Sequence, residues 1–179
     1  MKKTILRYGA YAALAEFLTF VLCWVVIYFF KPGPDVQGNI GYVAIISPLI
    51  FVYFGIRYYR DVFNDGNISF LKAIKVGLLI VILPAIGYAL IETVYVLIID
   101  PKFYENIYSY EISQYRKTLP PADFAAKLKE IKQQLVLDKN PLFNFSMMVL
   151  IIGALGVIVT LISSLLLMRK AKKETLINH

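Results

Sequence analysis

Four apolar runs set the limits on what this chain can become. They are Tyr8 to Phe30, Ile40 to Tyr59, Ile74 to Ile99 and Phe143 to Met168. An apolar run of about 18 or more residues is long enough to cross a bilayer as a helix. A soluble core has no use for four such elements without a polar face. Only 17% of the 179 residues are charged, below the ~25% of an average soluble domain. The runs predict an all-α membrane protein. It would be a single membrane domain with four transmembrane helices at about 8–30, 40–59, 74–99 and 143–168.

Met1-Lys2-Lys3 before an apolar run is how a signal peptide starts. This run is long, contains Glu16, and ends at Phe29-Phe30-Lys31 without small residues for cleavage. We read an uncleaved first helix. The single cysteine, Cys23, lies inside it. One cysteine makes no disulfide within the chain and no cysteine metal cluster.

Loops rich in Lys and Arg stay on the cytoplasmic side. Lys2, Lys3 and Arg7 flank the first run without an acid. Arg57, Arg60, Lys72 and Lys75 lie between runs two and three, against Asp61 and Asp65. Arg169, Lys170, Lys172 and Lys173 follow the fourth run, against Glu174. Lys31 to Asn39 has one cation and one acid, and Asp100 to Asn140 has seven cations and six acids. The expected topology is N-in and C-in, with a basic cytoplasmic tail at 169–179. The net charge of +7 is mostly this asymmetry. Cations split among three short flanks do not form a nucleic-acid surface, so no nucleic-acid partner is expected.

The connection between runs two and three reads FGIRYYRDVFNDGNISFLKAIKVG, from Phe54 to Gly77. Tyr53, Tyr58 and Tyr59 suit an interfacial aromatic belt. Asn64-Asp65-Gly66-Asn67 is turn chemistry, because Asn, Asp and Gly tolerate left-handed backbone. Asn67 or Ser69 can cap the helix that follows. The pattern F-G-I-R-x-Y-R-D, then N-x-G-x-I-S-F-x-K-A-x-K-x-G-L, resembles an uncharacterised bacterial integral membrane family, domain of unknown function 4199. A basic N-terminus, four helices and a longer connection after Asp100-Pro101 also fit that family. The resemblance implies an integral membrane protein of the bacterial cytoplasmic membrane. It implies no activity and no site residues.

Asp100 to Asn140 is the one sizeable polar region, expected outside the cytoplasm. A residue before proline is pushed out of helical geometry, which divides the segment at Leu119-Pro120-Pro121. Tyr104, Tyr108, Ile112 and Tyr115 form one stripe of the first half. Phe124, Leu128, Ile131 and Leu135 form a stripe of the second, with Lys127, Lys129, Glu130 and Lys132 opposite. That spacing predicts two amphipathic helices. Pro121 and Asp123 suit the start of the second. Asn140-Pro141 suits the start of the fourth span. Such helices pack on each other, lie on the bilayer, or receive a protein partner or a second copy. Phe124, Leu128, Ile131 and Leu135 are the candidate partner face.

Ionisable groups inside a span are costly and point to function. The candidates are Glu16, Glu92 and Arg57. At ~1.5 Å per residue, Glu16 lies roughly 13 Å in from Arg7, and Glu92 roughly 25 Å from Lys75. That separates them by about 12 Å in depth. Helical side chains lean toward the helix N-terminus. Glu16 and Arg57 therefore lean toward each other if their helices are neighbours, and the first expectation is a buried ion pair. A protonated Glu16 and a proton relay are the alternatives. Glu92 has Tyr88 and Tyr95 beside it, and Lys31 is within snorkelling reach.

No metalloprotease helix, phosphate loop or dinucleotide fingerprint is present in the sequence, and the only histidine is His179. Ser163 and Ser164 have no basic partner in sequence. With Gly153, Gly156 and Thr160 they form a small-residue stripe that lets membrane helices approach. Pro84 is expected to kink the third span. We expect no catalytic residues, cofactor or metal. The reading is a non-enzymatic scaffold or accessory subunit that docks partners through its outer helices. The alternative is a small oligomeric proton-coupled or solute carrier that uses Glu16 and Glu92.

Overall fold

The computed structural model describes residues 1–169, apart from the side chains of Pro34 and Asp35. Most of the expected basic tail, residues 170–179, lies outside the described residues. Among the described residues seven α-helices follow in chain order: α1 (Lys2–Phe30), α2 (Pro34–Ile46), α3 (Ile50–Phe63), α4 (Phe70–Val94), α5 (Phe103–Thr118), α6 (Pro121–Asp138) and α7 (Pro141–Leu167). Four helical segments are long and apolar enough to cross a membrane: Lys2–Phe30, Val36–Phe63, Phe70–Ile99 and Pro141–Leu167.

Local sequence explains the breaks. α1 stops where Lys31 turns left-handed at φ 44°, and Pro32 follows. Within the second span Pro48 cannot donate an N–H, so the chain tightens to a 3₁₀ turn at Ser47–Leu49 between α2 and α3. The third span carries Pro84 inside α4 and widens to a π-helical turn at Tyr95–Ile99. Asn140 caps α7: its Oδ1 accepts from the backbone N–H groups of Leu142 (3.0 Å) and Phe143 (3.2 Å). Leu119 is extended, and α6 starts with Pro121 in its first turn.

α4 is the centre of the bundle and packs on α7, α1 and α3. Its buried residues include Ala73, Gly77, Val81, Pro84, Tyr88 and Glu92, at helical spacing. α1 runs parallel to it: Gly9 meets Ile80 and Leu83, and Gly87 meets Ala13 and Glu16. α7 runs antiparallel. A side chain at Gly77 would stand 2.5 Å from Thr160 Cγ2, and one at Gly156 would collide with Val81. Small residues here let the backbones approach. Gly153 does not belong to that stripe. It meets nothing within 4 Å, and Ile152 is the buried residue at that level.

The three basic flanks meet at one end of the bundle. Arg7 lies 5.8 Å from the Tyr58 ring centroid. Arg60 donates to the Leu167 carbonyl at 3.4 Å. Ile68 and Arg169 exchange two backbone hydrogen bonds, 3.1 and 3.0 Å. Asp65 and Gly66 take left-handed backbone, and Asn64 bonds the Asn67 carbonyl. Lys72 reaches back to Asn64 Oδ1 at 2.7 Å and lies over the Tyr59 ring. Tyr59 is a buried core residue. Ser69 stands at the start of α4 but makes no side-chain cap bond. The α5–α6 pair closes the opposite end.

Candidate functional site

Two buried polar centres lie along α4. The first is Glu16. It is fully buried, and neither carboxyl oxygen has a hydrogen-bond partner among the described residues. Its Oε2 lies 3.9 Å from where a side chain at Gly87 would begin. The expected ion pair with Arg57 does not form. Arg57 lies on the exposed side of α3, with its Nε 3.6 Å from Asp61. The cation that turns inward is Arg60, three residues on, which is 8% exposed and donates to Asp61 at 2.6 Å. The expected lean does not bring the two together, because Gly55 meets Tyr8, which puts Arg57 at the Arg7 end of α1, and Arg57 faces outward.

The second centre joins α4 and α7 to α5. Tyr104 donates its hydroxyl to Glu92 Oε1 at 2.6 Å. Asn144 donates from Nδ2 to the Tyr104 oxygen at 2.8 Å and to Glu92 Oε1 at 3.5 Å. Glu92 and Asn144 are 6% and 2% exposed. Glu92 Oε2 and Asn144 Oδ1 have no hydrogen-bond partner. Glu92 thus meets Tyr104 and Asn144, and Lys31 stays exposed away from it. One turn further out, Tyr108 donates to Asp138, which also accepts from Gln134 at 3.0 Å. Lys139 pairs with Glu105. Burial, then the bond to Glu92, holds the Tyr104 hydroxyl well above the usual tyrosine range. Burial and Asp138 do the same for Tyr108.

Glu16 and Glu92 are nearer in depth than their separate spans suggest. Glu16 sits at the level of Gly87, five residues before Glu92 on one helix, or ~7.5 Å of rise. Tyr88 stands between them, buried, with the Phe20 ring against it at 6.1 Å.

The stripe Phe124, Leu128, Ile131 and Leu135 turns inward. Ile131 is 4% exposed and the other three are half-buried. Arg116 of α5 lies over the Phe124 ring, and Lys127 over Tyr115. Two short amphipathic helices bury their apolar stripes on each other before anything else. The open face of α6 lies beside that stripe. A shallow groove there is lined by Ala125, Leu128, Lys129, Lys132, Val136 and Leu137, among others.

Asn144 and Arg60 are the residues that sequence reasoning missed. Asn144 was legible. Counting back by fours from Thr160 through Gly156 reaches Ile152, Met148 and Asn144, all on the packed face of α7.

Residues 7–169 match one family, described as Protein of unknown function (DUF4199). No curated protein and no solved structure matches the chain.

Proposed function

The chain belongs to that family of unknown function, and from this premise we propose that it is a non-enzymatic scaffold, with α5–α6 as its docking platform. The observation that carries the reading is the open face of α6. Val136 is 70% and Leu137 44% exposed. Lys129 and Lys132 beside them have no ion pair among the described residues. The platform is held to the bundle by the Tyr104, Glu92 and Asn144 bonds, more than a connection between two spans needs. A partner segment with apolar side chains flanked by acids suits this groove. A second copy suits it less, because the chain carries a net +7.

The clustering of the basic flanks at one bundle end supports N-in and C-in by the positive-inside rule. The α5–α6 platform then stands outside the cytoplasmic membrane of a bacterium. Cysteines at Asp65 and Lys129, on a Cys23→Ala background, test this. An impermeant reagent on intact cells should modify the second and spare the first.

Copurification from native membranes tests the scaffold. Lys129→Glu with Lys132→Glu should remove the partner while the protein stays inserted. If the same partners remain, the open face is not the platform. A single species of twice the mass would make the occupant a second copy. Binding of the isolated protein to anionic vesicles alone would make it lipid.

A second reading, a proton-coupled carrier, is favoured by one observation: the unpartnered Glu16 carboxyl inside the bundle. Glu16→Gln abolishing a proton or solute flux in proteoliposomes would support it.

A further inference from the structure

The polar groups inside the bundle are not spread evenly along its axis. Between the Glu16 level and the buried Thr4, Thr160, Ser163 and Ser164 nearer the basic end, the centre is filled by Val52, Ile56, Ile80, Val81 and Ile152, none more than 4% exposed. Gly55 and Gly9 both approach Ile80, and Gly156 approaches Val81, so this layer is closed on all sides. Toward the α5–α6 end the chemistry differs. Tyr88 follows Gly87, the residue that meets Glu16, and the Phe20 ring packs on it. Glu92 lies one turn beyond Tyr88 on the same face. Tyr104 bonds Glu92 and also lines a cavity of about 180 Å³ with Asp138, Lys139 and Pro101. Polar side chains therefore lead from that cavity to Glu16 and stop there.

An isolated carboxylate is too costly to keep charged in apolar surroundings, and it takes up a partner instead. The described cations cannot be that partner. Arg7 bonds Tyr11, Arg57 and Arg60 face Asp61, Lys72 bonds Asn64, and Lys31 and Lys75 are exposed. Tyr88 of α4 is the titratable group nearest Glu16, and Glu92 of α4 and Cys23 of α1 lie around Tyr88. α2 offers the exposed Tyr42, and the Ser47–Leu49 turn offers none. A metal ion needs several oxygen ligands. Ala12, Ala13 and Gly87 around Glu16 supply no side-chain oxygen, and no cluster of metal-ligating side chains occurs among the described residues. The ligand that fits is a proton.

We propose that Glu16 is a proton-binding site that exchanges its proton with the medium on the α5–α6 side, through Tyr88, Glu92 and Tyr104, and is sealed from the basic end by the layer around Ile80. It deepens the carrier reading, but it requires exchange with one side only and no net flux.

Dicyclohexylcarbodiimide reacts with protonated carboxyls in apolar surroundings, and peptide mass spectrometry locates the adduct. The full chain is used in membrane vesicles of both orientations. The α5–α6 side is identified independently by labelling a cysteine at Lys129. Glu16 should be modified. Starting from neutral medium, the adduct should fall severalfold when the α5–α6 side alone is made alkaline, and stay constant when only the other side is. Tyr88→Phe should slow that response severalfold. An adduct that follows the basic end, follows both sides equally, or forms on other carboxyls but never on Glu16 overturns the proposal. A Tyr88→Phe response at the wild-type rate removes the route. Absence of flux with a normal adduct removes the carrier reading and leaves the site. Loss of partners in the platform variants touches neither.

Discussion

The Tyr104 hydroxyl stands 2.6 Å from Glu92 Oε1, which fastens a helix outside the four spans to a carboxyl inside the third. The geometry depends on how the third span ends. The π-helical turn at Tyr95–Ile99 and the turn at Asp100 to Lys102 bring α5 back over the bundle. Phe103 then packs on Tyr95, with ring centroids 5.5 Å apart. Asn144 completes the joint from α7.

Tyr104→Phe keeps the ring and removes the donor. Glu92 Oε1 is left with only the longer Asn144 contact. A buried acceptor that loses its donor costs about 1–3 kcal/mol. We expect a lower melting temperature in detergent and faster protease cleavage within α5. Replacing both partners by apolar groups is less costly than stranding one. Tyr104→Phe with Glu92→Leu should therefore lose less than the two single changes summed. Strict additivity would mean the bond carries no coupling.

The α4–α7 contact makes a paired prediction. Gly77→Ala places a methyl 2.5 Å from Thr160 Cγ2. Overpacking of this kind costs about 1–3 kcal/mol. Thr160→Ala deletes both that methyl and the hydroxyl 2.9 Å away, and the double variant should recover much of the loss. Gly153→Ala is the control. It meets nothing within 4 Å, and alanine favours the helix by up to ~1 kcal/mol. Thermal unfolding of the three variants decides it. Equal losses at Gly77 and Gly153 would contradict the packing described.

These two predictions mark what the sequence could and could not reveal. Four spans were legible because length and apolarity are properties of the chain alone. Their faces were harder to read. Arg57 and Arg60 are one turn apart, and depth does not say which points inward. Their roles depend on where α7 ends, since Leu167 supplies the carbonyl that Arg60 takes. Glu16 was legible as a costly group. Its lack of a partner was not, because that follows from Gly87 being the residue α1 meets there. The apolar stripe on α6 is visible in the sequence spacing. Its cover, α5, was a matter of tertiary pairing.

The two arginines can be separated by experiment. Arg60→Leu removes bonds to Asp61 and the Leu167 carbonyl at a buried position. Hydrogen bonds to charged groups contribute about 1.5–3 kcal/mol, and the melting temperature should fall accordingly. Arg57→Leu removes an exposed ion pair with Asp61 and should change stability little. Arg57→Leu and Glu16→Leu should be additive, because the two side chains do not meet. A loss at Arg57 larger than at Arg60, or strong coupling between Arg57 and Glu16, would restore the ion pair that the structure replaces.

The α5–α6 pair should be bounded in pH from both sides. Lys139 donates to Glu105 and holds its carboxyl below the usual range. A carboxyl depressed by folding stabilises above its unfolded value, and that contribution is lost as pH falls through its folded value. The Tyr104 and Tyr108 hydroxyls are raised, chiefly by burial and then by the carboxylates that accept from them. A raised group stabilises fully below its unfolded value, near ~10 for tyrosine, and the contribution is lost as pH rises beyond that. Amide hydrogen exchange of α5 should thus show a protected plateau that falls away at acid pH and again at alkaline pH. Lys139→Met should lower the plateau and flatten the acid fall, because Glu105 then titrates alike folded and unfolded, and leave the alkaline limit in place. Tyr108→Phe should alter the alkaline limit and leave the acid limit in place. If Lys139→Met moves the alkaline limit, or neither variant alters either limit, these bonds do not hold the platform to the bundle.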